Sequence, residues 1–161
     1  MDTPELAALV PDLMTRHPGC EWTILSGRLP GEDLVIELHP RAWPDRVATV
    51  RVITAAEVFS FAFAGHVGHD FAYADIDRPD ALRERIDLAV DAARGPTRVT
   101  RERRSGMTVG SALVLDPDGP HPRRDTVSYP RRRLRSRLTG GRTTREVEDF
   151  PGLPDSPALP E

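Results

Sequence analysis

The spacing of apolar residues divides this chain into stretches with a period near 3.6 and stretches with a period of two. Leu6, Leu9, Val10, Leu13 and Met14 recur at steps of three and four, which predicts a first helix from Pro4 to about Arg16 with Thr3 as N-cap. Pro11 falls inside that pattern and is expected to kink or split the helix, and "HPG" at 17–19 ends it. From Glu21 the period is two. "EWTILSGR", the turn "LPGED" and "DLVIELH" read as a hairpin in which Leu34, Ile36 and Leu38 share one face. "RVATVRVI" and "EVFSFAFAG" follow as strands, and the alternation of Phe59, Phe61 and Phe63 assigns these rings to the core. "DFAYADI" reads as a fifth strand, reached through the turn "GHVGH".

The helical period then returns. Leu82, Ile86, Ala89, Val90 and Ala93 form one stripe, with Asp77 as N-cap, Pro79 and Asp80 in the first turn, and Gly95 and Pro96 as the stop. "TRVTRERR" and "MTVGSALVL" alternate around "SG" as a further hairpin, and "DPDG" turns the chain. Runs of strands with one helix before them and one between them define an α+β fold: an antiparallel sheet of about six to seven strands, with the N-terminal and central helices on one face. Beyond Asp116 the pattern weakens. "PDGPHPRRD" reads as a loop, "TVSYP" as a short edge strand, and "PRRRLRSRL" as a stretch able to make two helical turns.

Composition adds a domain plan. The 161 residues suit one domain: an α+β unit over 1–119, an Arg-rich segment over 120–150 that packs on or extends it, and a Pro-rich flexible tail over 151–161. Pro151, Pro154, Pro157 and Pro160 stand at every third position, as on one edge of a polyproline II helix, but no Arg flanks them as a PxxP ligand requires. The apolar runs are too short to cross a membrane and the N-terminus is acidic where a signal peptide is basic, so a cytoplasmic protein without membrane contact is expected. One cysteine, Cys20, supports neither an internal disulfide nor a Cys-x-x-Cys site.

Charge changes the picture further. The chain has no Lys, Asn or Gln and 22 Arg, a bias typical of high-GC, actinobacterial coding. A net charge of −3 hides three blocks: −8 over residues 1–93, +10 over 94–145 and −5 over 146–161. Blocks of opposite sign either attract one another within the fold or face two partners.

Candidate chemistry is sparse. His66, His69 and Asp70 in "GHVGHD", with His39 from a neighbouring strand, are the candidates for a metal or acid/base site. Residues three apart point to opposite sides of a strand, however, so a polar hairpin turn is the better reading. Ser105 and Ser111 lie beside glycines without the Gly-x-Ser-x-Gly spacing, and "DPDG" does not continue as a calcium loop. No cofactor is implied. Arg131, Arg132, Arg133, Arg135, Arg137 and Arg142 are candidates for phosphate contacts, although Tyr129 is the only aromatic there to stack a base. Asp70, Asp75, Asp77, Asp80, Glu84, Asp87 and Asp91 form a candidate acidic surface for a basic protein partner.

"RVTRERRSGMTVGSALVLDPDG", directly after the Gly-terminated helix, resembles the closing hairpin of small actinobacterial α+β proteins, some of which are immunity partners of secreted polymorphic toxins. Over residues 78–119 the resemblance implies a class, a compact non-enzymatic protein that binds and blocks another protein, and no residue role. Three readings follow from the sequence: an immunity protein or adaptor for a cognate protein such as a basic toxin domain, a nucleic-acid-associated protein, and an enzyme or metal protein centred on His66, His69 and Asp70.

Overall fold

The computed structural model of the chain describes residues 1–26, 33–53, 57–129, 132 and 142–153. Helix α1 (Thr3–Met14) leads into five strands, β1 (Cys20–Ser26), β2 (Asp33–Pro40), β3 (Ala48–Ile53), β4 (Val58–Phe63) and β5 (His66–Phe71). Helix α2 (Arg78–Arg94) then precedes β6 (Thr97–Arg104), β7 (Met107–Leu115), β8 (Arg123–Ser128) and β9 (Thr143–Phe150). The class is α+β as expected, with an N-terminal and a central helix. The nine strands among the described residues divide, however, into two antiparallel sheets, β1-β2-β3-β4-β5 and β8-β7-β6-β9, where the hydrophobic pattern suggested a single sheet of six or seven.

The first sheet is a meander whose helix-facing rows are apolar. Leu34, Ile36 and Leu38 of β2, Ala48, Val50 and Val52 of β3, and Phe59, Phe61 and Phe63 of β4 are all buried. They meet Leu6, Val10 and Met14 of α1 and Leu82, Ile86, Ala89, Val90 and Ala93 of α2 in one core. Val99, Leu113 and Leu115 of the second sheet belong to the same core, and the rings of Phe63 and Phe150 lie 4.7 Å apart across the two sheets. The backbones of the two sheets come together mainly where β5 meets β7 and β8.

Several local expectations are corrected. Helix α1 is capped by Asp2 rather than Thr3: the Asp2 carboxylate accepts from the Glu5 N–H and Glu5 accepts from the Asp2 N–H, a reciprocal box that fixes the first turn. The helix runs on through Pro11 to Met14 and is not split there. "GHVGH" is not a turn. The reversal is made by Ala64 and Gly65, both at positive φ (46° and 77°), which is the two-residue geometry whose twist matches a hairpin. Strand β5 therefore begins at His66 and pairs with β4 from Phe63↔His66 to Val58↔Phe71, leaving Tyr73 to Ile76 outside it. "PDGPHPRRD" is a loop only as far as Pro122, because Arg123 to Asp125 already pair with Leu115 to Leu113 in β8. The "LPGED" turn lies, except for Asp33, outside the described residues, as do the "PRRRLRSRL" helix apart from Arg132 and the tail prolines after Pro151.

Residues 123–128 and 143–150 thus add both outer strands of the second sheet. Gly95 matters to this closure: it holds φ at 66°, and a Cβ there would press on the carbonyl oxygens of Phe150 and Pro151, where the chain leaving β9 crosses the end of α2.

Candidate functional site

Two groupings stand out, one inside the molecule and one on its surface. The inner one joins the sheets. Strand β5 points His66 inward at 0% exposure, with its ring 5.6 Å from Phe61. Its Nδ1 lies 2.9 Å from Ser111 Oγ on β7, and its Nε2 lies 3.1 Å from Asp125 Oδ2 on β8. In a neutral ring Nε2–H donates to the carboxylate while Nδ1 accepts the Ser111 hydroxyl proton; in the cation both nitrogens donate. The hydrogen bond to His66 is the main reason that the Asp125 carboxyl titrates below its usual range, with Arg85 adding a smaller attraction.

Ser, His and Asp are the residue types of a hydrolytic triad, yet the geometry is that of a clamp. Ser111 is 4% exposed and sealed with His66 in the seam between the sheets, so its hydroxyl has no approach to a substrate. Sequence reading missed this trio because its members lie on three strands, and Ser111 and Asp125 carried no local motif.

The other candidate histidines are separated from it. His69 is exposed on the opposite face of β5, and His39 on β2 sits 3.2 Å from Glu21 Oε2. Among the described residues no group of three or more His, Cys, Asp or Glu side chains is arranged to hold a metal ion. Asp70 lies 3.5 Å from Arg85, and its Oδ1 accepts from the Phe71 N–H.

The surface grouping starts where β5 ends. Phe71, Tyr73 and Ile76 are 54%, 70% and 84% exposed, and the Phe71 and Tyr73 rings stack with centroids 6.0 Å apart. Polar contacts tie this connection to the rest of the chain. Arg78 donates to the Met1 carbonyl at 2.6 Å and contacts Asp75 at 3.0 Å and Glu57 at 3.4 Å, while the Ala72 N–H donates to the Glu57 carbonyl. Large apolar groups so fully exposed on a braced loop are uncommon unless something binds them.

Acids alternate with these residues along the chain and continue along α2. Residues 70–91 carry seven acidic side chains against three arginines. Many are already engaged: Asp75 with the N-terminal amine at 2.9 Å, Asp80 with Arg83 at 2.6 Å, Asp87 with His17 at 2.8 Å, Asp91 with Arg123 at 3.6 Å. The hydrogen bond from that amine holds the Asp75 carboxyl low, whereas burial pushes that of Asp91 up. Glu84 has no ion pair among the described residues, and the Asp77 side chain makes no capping bond. Asp80, Glu84, Asp87 and Asp91 share one helical stripe, so the acidic face exists as a surface, with part of its charge neutralised at its root.

The arginines have a comparable fate. Strand β9 lays its acids against β6: Arg98 reaches Asp149 at 2.6 Å, Arg101 reaches Glu148 at 2.8 Å and Glu146 at 3.5 Å, and Arg103 reaches Glu146 at 3.5 Å. Arg101 also donates to the Ala64 carbonyl in the β4–β5 turn. Of the candidate phosphate contacts, Arg132 stacks over the Tyr129 ring at 4.8 Å and Arg142 is exposed. Arg131, Arg133, Arg135 and Arg137 lie outside the described residues.

Fold and sites together define an α+β protein of two antiparallel sheets with an internal polar clamp and one exposed aromatic patch. No family model, no curated protein and no solved structure matches the chain. Among the described residues no helix is long and apolar enough to cross a membrane.

Proposed function

We propose that the chain is a non-enzymatic protein-binding module, an immunity protein or adaptor that blocks or escorts a cognate protein. One observation carries this reading: Phe71, Tyr73 and Ile76 stand exposed at the head of an acidic helix on a loop braced by Arg78. Aromatic anchors with low conformational freedom, rimmed by charge, are what hot spots are made of. The acids select the partner, a protein with an apolar recess bordered by Arg or Lys, as a basic toxin domain would present. Phosphate binding through the Arg-rich C-terminal segment, where Arg132 and Arg142 are exposed, is the second reading.

Parallel affinity capture tests the proposal, using the wild-type chain, a Tyr73→Ala/Ile76→Ala variant and an Asp80→Arg/Asp87→Arg/Asp91→Arg variant, each with and without nuclease. A stoichiometric protein that survives nuclease, is lost with the first variant and is weakened with the second supports it. A bound set that is unchanged by both variants, or bound nucleic acid that disappears with nuclease, overturns it.

A further inference from the structure

Strand β1 forms one border of the five-stranded sheet. Its strand neighbour is β2, and among the described residues no strand pairs with its other side. One contact sets the phase of its backbone bonds: the Arg41 N–H donates to the Gly19 carbonyl at 3.0 Å, and the register Cys20↔Pro40 to Ser26↔Leu34 continues from that pair. Bonded and non-bonded pairs alternate along an antiparallel ladder. Glu21, Thr23 and Leu25 therefore turn their N–H and C=O groups toward β2, while Trp22 and Ile24 turn theirs to the open edge. Pro40, which has no N–H, falls opposite Cys20 at a non-bonded position, as this phase requires.

The open edges of this fold differ in their chemistry. Strands β8 and β9 carry Arg123, Arg124 and Asp125 and Arg145, Glu146, Glu148 and Asp149, the kind of charge that deters strand addition. The β5 border packs against β7 and β8. Strand β1 reads CEWTILS, with one acid, no basic residue and no proline. Ile24 and Leu25, which project to opposite faces of the sheet, are 38% and 41% exposed. An unpaired row of donors and acceptors flanked by exposed aliphatic groups on both faces is a template for another strand.

We propose that β1 pairs antiparallel with β1 of a second copy of this chain about a two-fold axis at Thr23, so that the two five-stranded sheets continue as one. The sequence fits itself in that register. Cys20 falls opposite Ser26 of the second copy, Glu21 opposite Leu25, Trp22 opposite Ile24 and Thr23 opposite Thr23. No charge meets its like, and an aromatic side chain meets a β-branched one at the bonded positions. A shift that centred the pairing on Glu21 would instead oppose two carboxylates. The axis lies at the far border of the sheet from Phe71, so this dimer stands apart from the binding patch and presents two copies of it.

Sedimentation and light scattering of the full chain at about 100 µM, above the micromolar range of weak specific interfaces, read the oligomeric state. A dimer is expected. Ile24→Pro removes an N–H that points to the open edge and leaves the β1–β2 bonds intact, so self-association should weaken on the order of a hundredfold with an unchanged circular dichroism spectrum. Ile24→Lys, which places charge on the edge, should do the same and decides the matter if the proline variant alters the spectrum. Thr23→Cys should form an intermolecular disulfide on mild oxidation, since residues at a non-bonded antiparallel pair stand about 4.5 Å apart at Cα. A wild-type monomer, a dimer insensitive to Ile24→Lys, or no cross-link at Thr23→Cys would each overturn the proposal.

Discussion

Replacing His66 by Ala should cost this protein about 3 kcal/mol, built from three local losses. The side chain is fully buried, and its removal orphans the Ser111 hydroxyl, itself sealed between the sheets, at about 1–2 kcal/mol. It removes the donor to Asp125 Oδ2, a smaller loss of about 0.5–1 kcal/mol because that carboxylate is partly exposed and keeps Arg85 as a neighbour. It also leaves a void beside Phe61, worth about 1 kcal/mol. Against a typical domain stability of 5–15 kcal/mol, this moves a urea midpoint by roughly 1–2 M at an m-value of about 2 kcal/mol/M. Urea unfolding followed by tryptophan fluorescence and circular dichroism, with coincident transitions, is the assay. The cycle with Ser111→Ala isolates the contact, since that change should cost much less once His66 is gone. A loss below about 1 kcal/mol, or additive effects in the cycle, would refute the clamp. The pH dependence carries a sign. Asp125 has a folded pKa below its unfolded value of about 3.9, so its ionised form adds stability above about pH 4, and that contribution is lost as pH falls through the folded pKa. The gap between wild type and Asp125→Asn should therefore be full near pH 6 and shrink in acid; a gap that grows in acid would contradict the assignment.

Three further changes probe the seam between the sheets, the β6–β9 ion pairs and the thiol. Gly68→Ala would drive a Cβ into the Asp125 carboxylate and the Phe61 ring edge, and should lower the stability by about 2 kcal/mol as the core shifts; an unchanged urea curve would contradict this packing. Arg101→Ala severs the tie among Ala64, Glu146 and Glu148 and should lower Tm by about 2–4 °C, whereas Arg103→Ala, whose ion pair with Glu146 is long and exposed, should shift it by less than about 1 °C. Burial pushes the Cys20 thiol up, so Ellman's reagent should react with it slowly in the native protein and quickly in denaturant; rapid native labelling would place it elsewhere.

What could be read from the sequence was what each element buries for itself. Helix α2 and the Phe59, Phe61 and Phe63 row of β4 were legible because their own side chains repeat at the period of the element. The hairpin of β6 and β7 was legible because "SG" interrupts two alternating runs, and Ser105 and Gly106 do take positive φ. The β4–β5 turn was misplaced because "AGHVGHD" offers two glycines, and local chemistry does not say which one reverses the chain. Strands β8 and β9 were weakest in the pattern for a different reason: β9 exposes nearly every side chain, so no apolar alternation marks it, and its place is specified by carboxylates that meet the arginines of β6. The aromatic patch was obscured likewise, since "DFAYADI" has the composition of a strand and only the early end of β5 shows that Tyr73 and Ile76 face solvent.

That specification by charge resolves the three-block layout. The acidic block at 146–149 lies in register with the basic stretch at 98–104, Arg98 opposite Asp149 and Arg101 opposite Glu146, so part of the +10 is cancelled within one sheet. Individually, exposed pairs of this kind stabilise little. Their value lies in register: sliding β9 by one residue would send Glu146 and Glu148 to the other face of the sheet and set Thr144 and Arg145 against a different row of β6. Arginine suits the task, because its planar fork bonds two carboxylate oxygens or, as at Arg101, a carboxylate and a backbone carbonyl together. The acids of the outer stripe of α2 and of the loop around Phe71, Tyr73 and Ile76 take no part in this β6–β9 pairing, and that is where the proposed partner would dock.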